Sequence, residues 1–385
     1  MRLLASSHAL VFALLLTLPA RAGDEPTPPR DVSALLAPVR ADLDVPGLVA
    51  AVVRGKDLVA IGATGVRKRG DETPLTTSDK MHLGSCTKAM TATLAALFVE
   101  DGKLQWTTRL GEVCPRESML PAWRDVTLEQ LLTNRGGAST SLDADGLWQK
   151  LWAHTGTPLE QRETLLLGVT KREPEYTPGS KFVYSNTNFA LAGHMLETLA
   201  KKPWEELIQE RLFRPLGITT AGFGAPGTKG KLDQPLGHRG KTPVEVGPGS
   251  DNPAAIGPAG TVHMSIGDWA KFVAVHLRGE AEGCDATKPA LGRETFVKLH
   301  AAVADDKTHY AMGWAVEEQP WTNGRALMHN GSNTMWYCVT WLAPNADIAV
   351  LAACNVGGEA GAKACDHAVS ALLKDDLAAR EAKAK

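Results

Sequence analysis

The alternation of apolar and polar residues divides the chain into strands at both ends and helices between them. Residues 31–44 read as a short helix, and 48–54 and 58–64 as two strands joined at Gly55-Lys56-Asp57. Met90, Leu94, Leu97 and Phe98 then recur at helical spacing behind Leu83-Gly84-Ser85-Cys86-Thr87-Lys88, and Asp101-Gly102 supplies a stop. The long middle is mainly helical, over 128–132, 147–153, 189–199 and 204–213, before a Gly- and Pro-rich loop at 228–260. A further helix is predicted at 265–277, with Ser265 as N-cap and Asp268 in its first turn.

The period then returns to that of strands. Residues 311–316, 326–329, 335–342 and 348–355 alternate, with turns at Thr322-Asn323-Gly324 and Pro344-Asn345-Ala346-Asp347. A helix over 361–379 closes the chain, and its Ala/Lys/Glu tail reads as a fraying end. This order predicts an α/β protein of the α+β type. One antiparallel sheet, built from both termini, is flanked by helices and carries an inserted, mainly helical lobe. The expectation is one domain over 23–385, with a sheet lobe from 31–80 and 261–380 and a helical lobe over about 85–260.

Residues 1–22 read as a signal peptide: Arg2, an apolar run from Ala9 to Leu18, and a small-x-small cleavage site at Ala20-Arg21-Ala22. A secreted or periplasmic protein is expected, with no stable membrane insertion after cleavage, since no later run is long enough to span a bilayer. Loss of Arg2 and Arg21 moves the net charge from −2 to about −4, which gives no electrostatic reason to bind nucleic acid. All six cysteines follow the leader, and none has zinc-like spacing, so no metal or cofactor is expected. Cys86 reads as a buried small hydrophobe, and Cys338 and Cys354 as facing residues on a hairpin, able to form a cross-strand disulfide.

Ser85 and Lys88 stand one helical turn apart. A serine hydroxyl becomes a nucleophile when a base takes its proton, and a desolvated lysine is such a base. The alternative is an N-cap serine and a solvated lysine. Tyr184-Ser185-Asn186 is the sole Tyr-x-Asn among four tyrosines. A tyrosine beside a lysine ammonium has its phenolate stabilised and can relay protons, and Asn186 can bond a substrate amide, hold Lys88 or cap a helix. His329-Asn330-Gly331-Ser332 ends a strand; Gly331 admits close approach, and the Ser332 and Ser85 N–H groups could form an oxyanion hole. Ser250-Asp251-Asn252 and Gly240-Lys241-Thr242 spell fragments of other motifs, but both lie in the Gly/Pro loop and read as loop, and no G-x-S-x-G elbow occurs.

The order Ser-x-x-Lys, Tyr-x-Asn, His-x-Gly resembles the serine β-lactamase and penicillin-recognising D-Ala-D-Ala-peptidase family. The likeness is greatest to the branch of class C β-lactamases, D-Ala-D-Ala carboxypeptidases and esterases. Val45-Pro46-Gly47, Pro215-Leu216-Gly217, Pro258-Ala259-Gly260 and Asn355 fit it too. Leu131-Leu132-Thr133-Asn134-Arg135-Gly136-Gly137 is similar to Leu-Leu-Thr-His-Thr-Ser-Gly, with three residues replaced. The resemblance implies a β-lactamase/transpeptidase-like fold, Ser85 as nucleophile, Lys88 and Tyr184 as the proton-handling pair, and Asn186 as a substrate contact. His329, Asn330 and Gly331 occupy the place of Lys-Thr-Gly in β-lactamases and are expected to bind substrate, with a titratable ring in place of a permanent cation. The implied partners are small-molecule or peptide-like substrates: D-Ala-D-Ala-like peptides, β-lactams or esters. The rival is a non-catalytic cell-wall-binding protein that keeps the fold.

Overall fold

Strands from the two ends of the chain meet in one seven-stranded sheet. The computed structural model describes residues 27–282, 291–304 and 307–384; the predicted leader and Cys284 lie outside them. The sheet runs Arg30–Asp31, Asp57–Gly65, Gly47–Arg54, Ile348–Cys354, Tyr337–Ala343, Gly324–Ser332, Ala315–Gln319. Every pairing is antiparallel except the first, where Arg30 and Asp31 run parallel to Ala60 and Ile61. Gly47–Arg54 reads as a continuous apolar run because both of its faces are covered. Leu48, Ala50 and Val52 pack with Leu36, Ala364, Ala368 and Leu372 from helices Ser33–Asp42 and Gly358–Ala384. Val49, Ala51 and Val53 face the opposite way, toward Trp269 and Val273 of helix Ile266–Arg278.

That second face continues without a break into the helical insertion. Helix Thr87–Glu100 is buried on nearly every side, from Thr87 through Phe98, so it has no clear polar face. Helix Asn186–Ala200 packs against it, and Pro158–Thr170 packs on Asn186–Ala200 in turn. The 3-10 turn Gly84–Cys86, rather than the first α-helical turn, carries Ser85.

Several elements differ from the pattern. Periodicity did not single out helix Pro158–Thr170, yet its start carries a capping box: Thr157 Oγ1 accepts from Glu160 N at 3.3 Å, and Glu160 Oε2 accepts from Thr157 N at 2.7 Å. The strand expected over 311–316 begins only at Ala315, because Ala311–Trp314 closes a turn around Gly313 (φ +81°). The 228–260 loop contains a small hairpin, Gly237–Arg239 with Thr242–Val244. The Cys338–Cys354 disulfide does not form. Cys338 stands opposite Ala353 and Cys354 opposite Tyr337, one residue out of step, so the thiols point to opposite faces. Cys338 Sγ instead lies 3.5 Å from Cys86 Sγ, with both thiols free and buried.

A buried charge network holds the insertion together. Arg162, fully buried, donates to Glu197 at 2.6 Å, to Glu205 at 2.7 Å and to the Ala254 carbonyl at 2.8 Å. Glu197 also bonds His194 at 2.9 Å and the Trp204 N–H at 2.8 Å. Truncating one member strands a desolvated charge. Arg162→Ala is therefore expected to cost about 3–5 kcal/mol in urea denaturation. A loss below about 1 kcal/mol would show that the network contributes little to stability.

Candidate active site

The side chains singled out in sequence come from three distant segments and converge on one ammonium. Lys88, fully buried, points back along its helix to Ser85. Its Nζ lies 3.1 Å from Ser85 Oγ, 2.7 Å from Asn186 Oδ1 and 2.8 Å from the Ala259 carbonyl. The Tyr184 ring covers the same nitrogen at 4.7 Å from its centroid, and Phe189 closes the other side at 5.6 Å. Burial brings the Lys88 pKa down from 10.5 to about 7. A neutral amine keeps two N–H donors, which Asn186 and Ala259 engage, and its lone pair is left for Ser85.

Tyr184 sits at the start of helix Asn186–Ala200. The cap is Ser185, whose Oγ accepts from Thr187 N at 3.2 Å, which leaves the Asn186 side chain for Lys88. Asn134, the residue that replaces histidine in the Leu-Leu-Thr segment, braces this start. Its Oδ1 accepts from Ser185 N at 3.1 Å and its carbonyl accepts from Val183 N at 2.9 Å; its own backbone is left-handed (φ +57°). Tyr184 is 36% exposed, but desolvation at its hydroxyl end pushes that group above its ordinary range, and only its hydrogen bond with Ser85 opposes this. The sequence suggested a phenolate stabilised by Lys88. The environment instead keeps the phenol protonated, because desolvation disfavours both charged forms.

The third segment lies across from Ser85. Gly331 and Ser332 pass so close to Leu83–Ser85 that a Cβ on Gly331 would meet the Leu83 carbonyl and stand 2.8 Å from Ser85 N. Gly84, left-handed at φ +46°, faces Ser332 N in the same way. The two N–H groups expected to form an oxyanion hole are thus on adjoining backbone. Asn330 is exposed beside them. His329 is buried: its Nδ1 lies 2.5 Å from the Asn330 carbonyl and its Nε2 3.1 Å from the Tyr310 hydroxyl. A carbonyl requires Nδ1 to donate. Nε2 then accepts from Tyr310, whose hydroxyl burial keeps protonated. Tyr310 in turn packs edge-on against Tyr184, with centroids 6.3 Å apart. Sequence reasoning missed Tyr310, and no periodicity marks it. Its one signal is its place two residues before the Met312-Gly313-Trp314 turn, where Gly313 packs on the backbone of Lys88 and Ala89.

A cavity of about 270 Å³ opens beside Asn186, lined also by Thr140, Ser141, Asp143, Trp148 and Asn252. Asn186, which holds Lys88, joins this cavity to Ser85, Lys88 and Tyr184, and a seryl oxygen, a desolvated lysine and a tyrosine are the groups of a serine hydrolase. Residues 32–374 match the Beta-lactamase family model, and the chain belongs to that family. It is similar to Penicillin-binding protein 4 of Amycolatopsis lactamdurans, 26% identical over 330 residues, which is 83% of this chain and 83% of that protein. It is also similar to a Beta-lactamase of Pseudomonas fluorescens, 24% identical over 324 residues, 81% of this chain and 82% of that one. Among solved structures, a class C beta lactamase from Rhodobacter sphaeroides superposes with a TM-score of 0.71 at 20% identity, over 89% of this chain and 98% of that one.

The titration of Lys88 has a defined sign. Below about pH 7 the charged form dominates and cannot accept the seryl proton; above it the amine is free. The rate of Ser85 modification by an uncharged acylating reagent should rise as pH rises through about 7 and then level off. A rate that levels off only near the ordinary lysine range, at about pH 10, would show that Lys88 is not desolvated in solution.

Proposed function

We propose that this protein is a secreted or periplasmic hydrolase that forms an acyl-enzyme on Ser85 with peptide-like amides, β-lactams or esters. The observation that carries this reading is the dry Lys88, with two acceptors already engaged and its third direction aimed at Ser85 Oγ. Lys88 takes the Ser85 proton as Oγ bonds the substrate carbonyl carbon. The carbonyl oxygen, now an anion, lies between the N–H groups of Ser85 and Ser332. The tetrahedral intermediate collapses with cleavage of the C–N or C–O bond. Tyr184 gives its proton to the departing nitrogen or oxygen and is reprotonated from Lys88. Water attacks the seryl ester, loses its proton to the same pair, and releases the acid with Ser85 restored.

The third segment bears on substrate choice. The His329 ring borders Tyr184, with centroids 6.4 Å apart, but both of its nitrogens are engaged, by the Asn330 carbonyl and the Tyr310 hydroxyl, and neither is free to meet a carboxylate. Esters and amides that lack a carboxylate next to the scissile bond are therefore the favoured substrates. A non-catalytic binding protein would gain nothing from the cost of desolvating Lys88.

A fluorophosphonate should label Ser85, and Ser85→Ala should abolish labelling while the protein stays folded by circular dichroism. Equal labelling of that variant would reject the enzyme reading in favour of a binding protein. Tyr184→Phe, which removes only the hydroxyl, should lower kcat by roughly 10²–10⁴.

For a neutral aryl ester and its carboxylate-bearing analogue, kcat/KM should favour the neutral compound by a ratio that stays flat across neutral pH. Shared terms from Lys88 and Tyr184 cancel in that ratio. A ratio that swings toward the carboxylate as pH falls would show that His329 reads substrate charge.

A further inference from the structure

Ser250-Asp251-Asn252 is read in sequence as loop, yet the structure turns Asp251 inward. Its side chain is 8% exposed, and each carboxylate oxygen has one partner. Oδ2 lies 2.8 Å from Nε2 of His82, a residue whose side chain has no exposed surface. Oδ1 accepts from Asn333 Nδ2 at 2.9 Å.

Each partner touches one half of the oxyanion hole. His82 Nδ1 accepts the backbone N–H of Gly84 at 3.1 Å, immediately before Ser85. A ring nitrogen that accepts an amide proton carries none of its own, so Nε2 holds the proton and donates it to Asp251. The carboxylate thereby selects the tautomer that holds Gly84. On the other side, Asn333 follows Ser332, and its Oδ1 accepts from Met335 N at 3.2 Å, which closes the turn beyond the strand. The local backbone needs such support. Gly84 is left-handed and abuts Ser332 N with no room for a Cβ, so the spacing of the two amides rests on this close approach.

We propose that Asp251 is a positioning residue that sets the separation of the Ser85 and Ser332 amides, through His82 on one side and Asn333 on the other. It touches neither substrate nor the reacting atoms. It ties the loop that lines the cavity through Asn252 to both strands of backbone that receive the oxyanion. Oxyanion stabilisation depends steeply on donor placement: loss of one donor costs roughly 10²–10³ in kcat, and a misplacement of about 1 Å on the order of 10².

The inference rests on Ser85 being the nucleophile, and the experiment separates the two. Asp251→Asn keeps the shape but turns an N–H₂ toward one of two donors; Asn333→Ala cuts one arm, together with the Asn333 bond to Met335 N, and leaves Asp251 on His82. Three quantities are read: kcat and KM for a neutral aryl ester, affinity for a boronic acid that forms a tetrahedral adduct on serine, and thermal midpoint. In Asp251→Asn, kcat and boronate affinity should fall together by roughly 10–100-fold, with KM within about threefold. Asn333→Ala should show the same split with a smaller loss. Should Asp251→Asn fail to fold, Asn333→Ala decides the matter alone. The proposal is overturned if kcat and boronate affinity stay within about twofold of wild type. It is equally overturned if KM alone rises, which would make Asp251 a cleft-loop residue. A wild-type protein that no fluorophosphonate labels would reject the Ser85 reading instead.

Discussion

The structure depends on keeping the Lys88 nitrogen out of water. A lysine in bulk solvent is a cation and no base; one that is buried, but held by an amide oxygen and a backbone carbonyl, is a base near neutral pH. Each wall of this site comes from a different part of the fold. Helix Thr87–Glu100 buries the stem, Phe189 and Tyr184 cover the head, and Ala259 supplies a carbonyl from the far side of the insertion. The helical insertion is thus what makes Lys88 reactive. The sheet's part is to bring Gly331 and Ser332 against Leu83–Ser85.

This division explains where the polar groups of the core lie. Arg162 holds the Ala254 carbonyl, a few residues before Ala259, and so joins the charge network of the insertion to the segment that fixes Lys88. Asn134 performs a similar task at the start of the Tyr184 helix by satisfying N–H groups that would otherwise be buried without partners. Replacement of histidine by asparagine in that segment suits the left-handed backbone at this position, which asparagine tolerates well.

Membership of the beta-lactamase family accounts for the fold and for hydrolytic chemistry at a serine. The two tyrosines and His329 shape the other wall of the cleft. Tyr310, His329 and Tyr184 are in mutual contact: His329 hydrogen-bonds Tyr310, and its ring lies 6.4 Å from that of Tyr184, so the third motif borders the cleft directly.

Local pattern sufficed for the strands at both ends, the Ser85 helix and the order of the three motifs. A strand covered on both faces or a helix buried all round is legible as an apolar run, and Ser85 and Lys88 are close enough in the chain for one turn to join them. The residues themselves also offered Asn186 as a group that could hold Lys88, among other roles, and Ser332 as the partner of Ser85 in an oxyanion hole. Tertiary structure alone decided the rest. The hairpin register came out one residue from a disulfide, because facing pairs depend on how the whole sheet is assembled. Tyr310 and His82 entered the site from segments with no local mark, and Ala259 and Asp251 from segments noted for likeness to motifs but not for the contacts they make. Hydrogen bonds between residues more than 100 apart, such as His82 to Asp251 and Lys88 to Ala259, leave no periodicity in the chain. The shifts of the Lys88 amine and the Tyr184 hydroxyl likewise come from desolvation at the titrating atoms, a property of the packed molecule and not of either residue's neighbours in sequence.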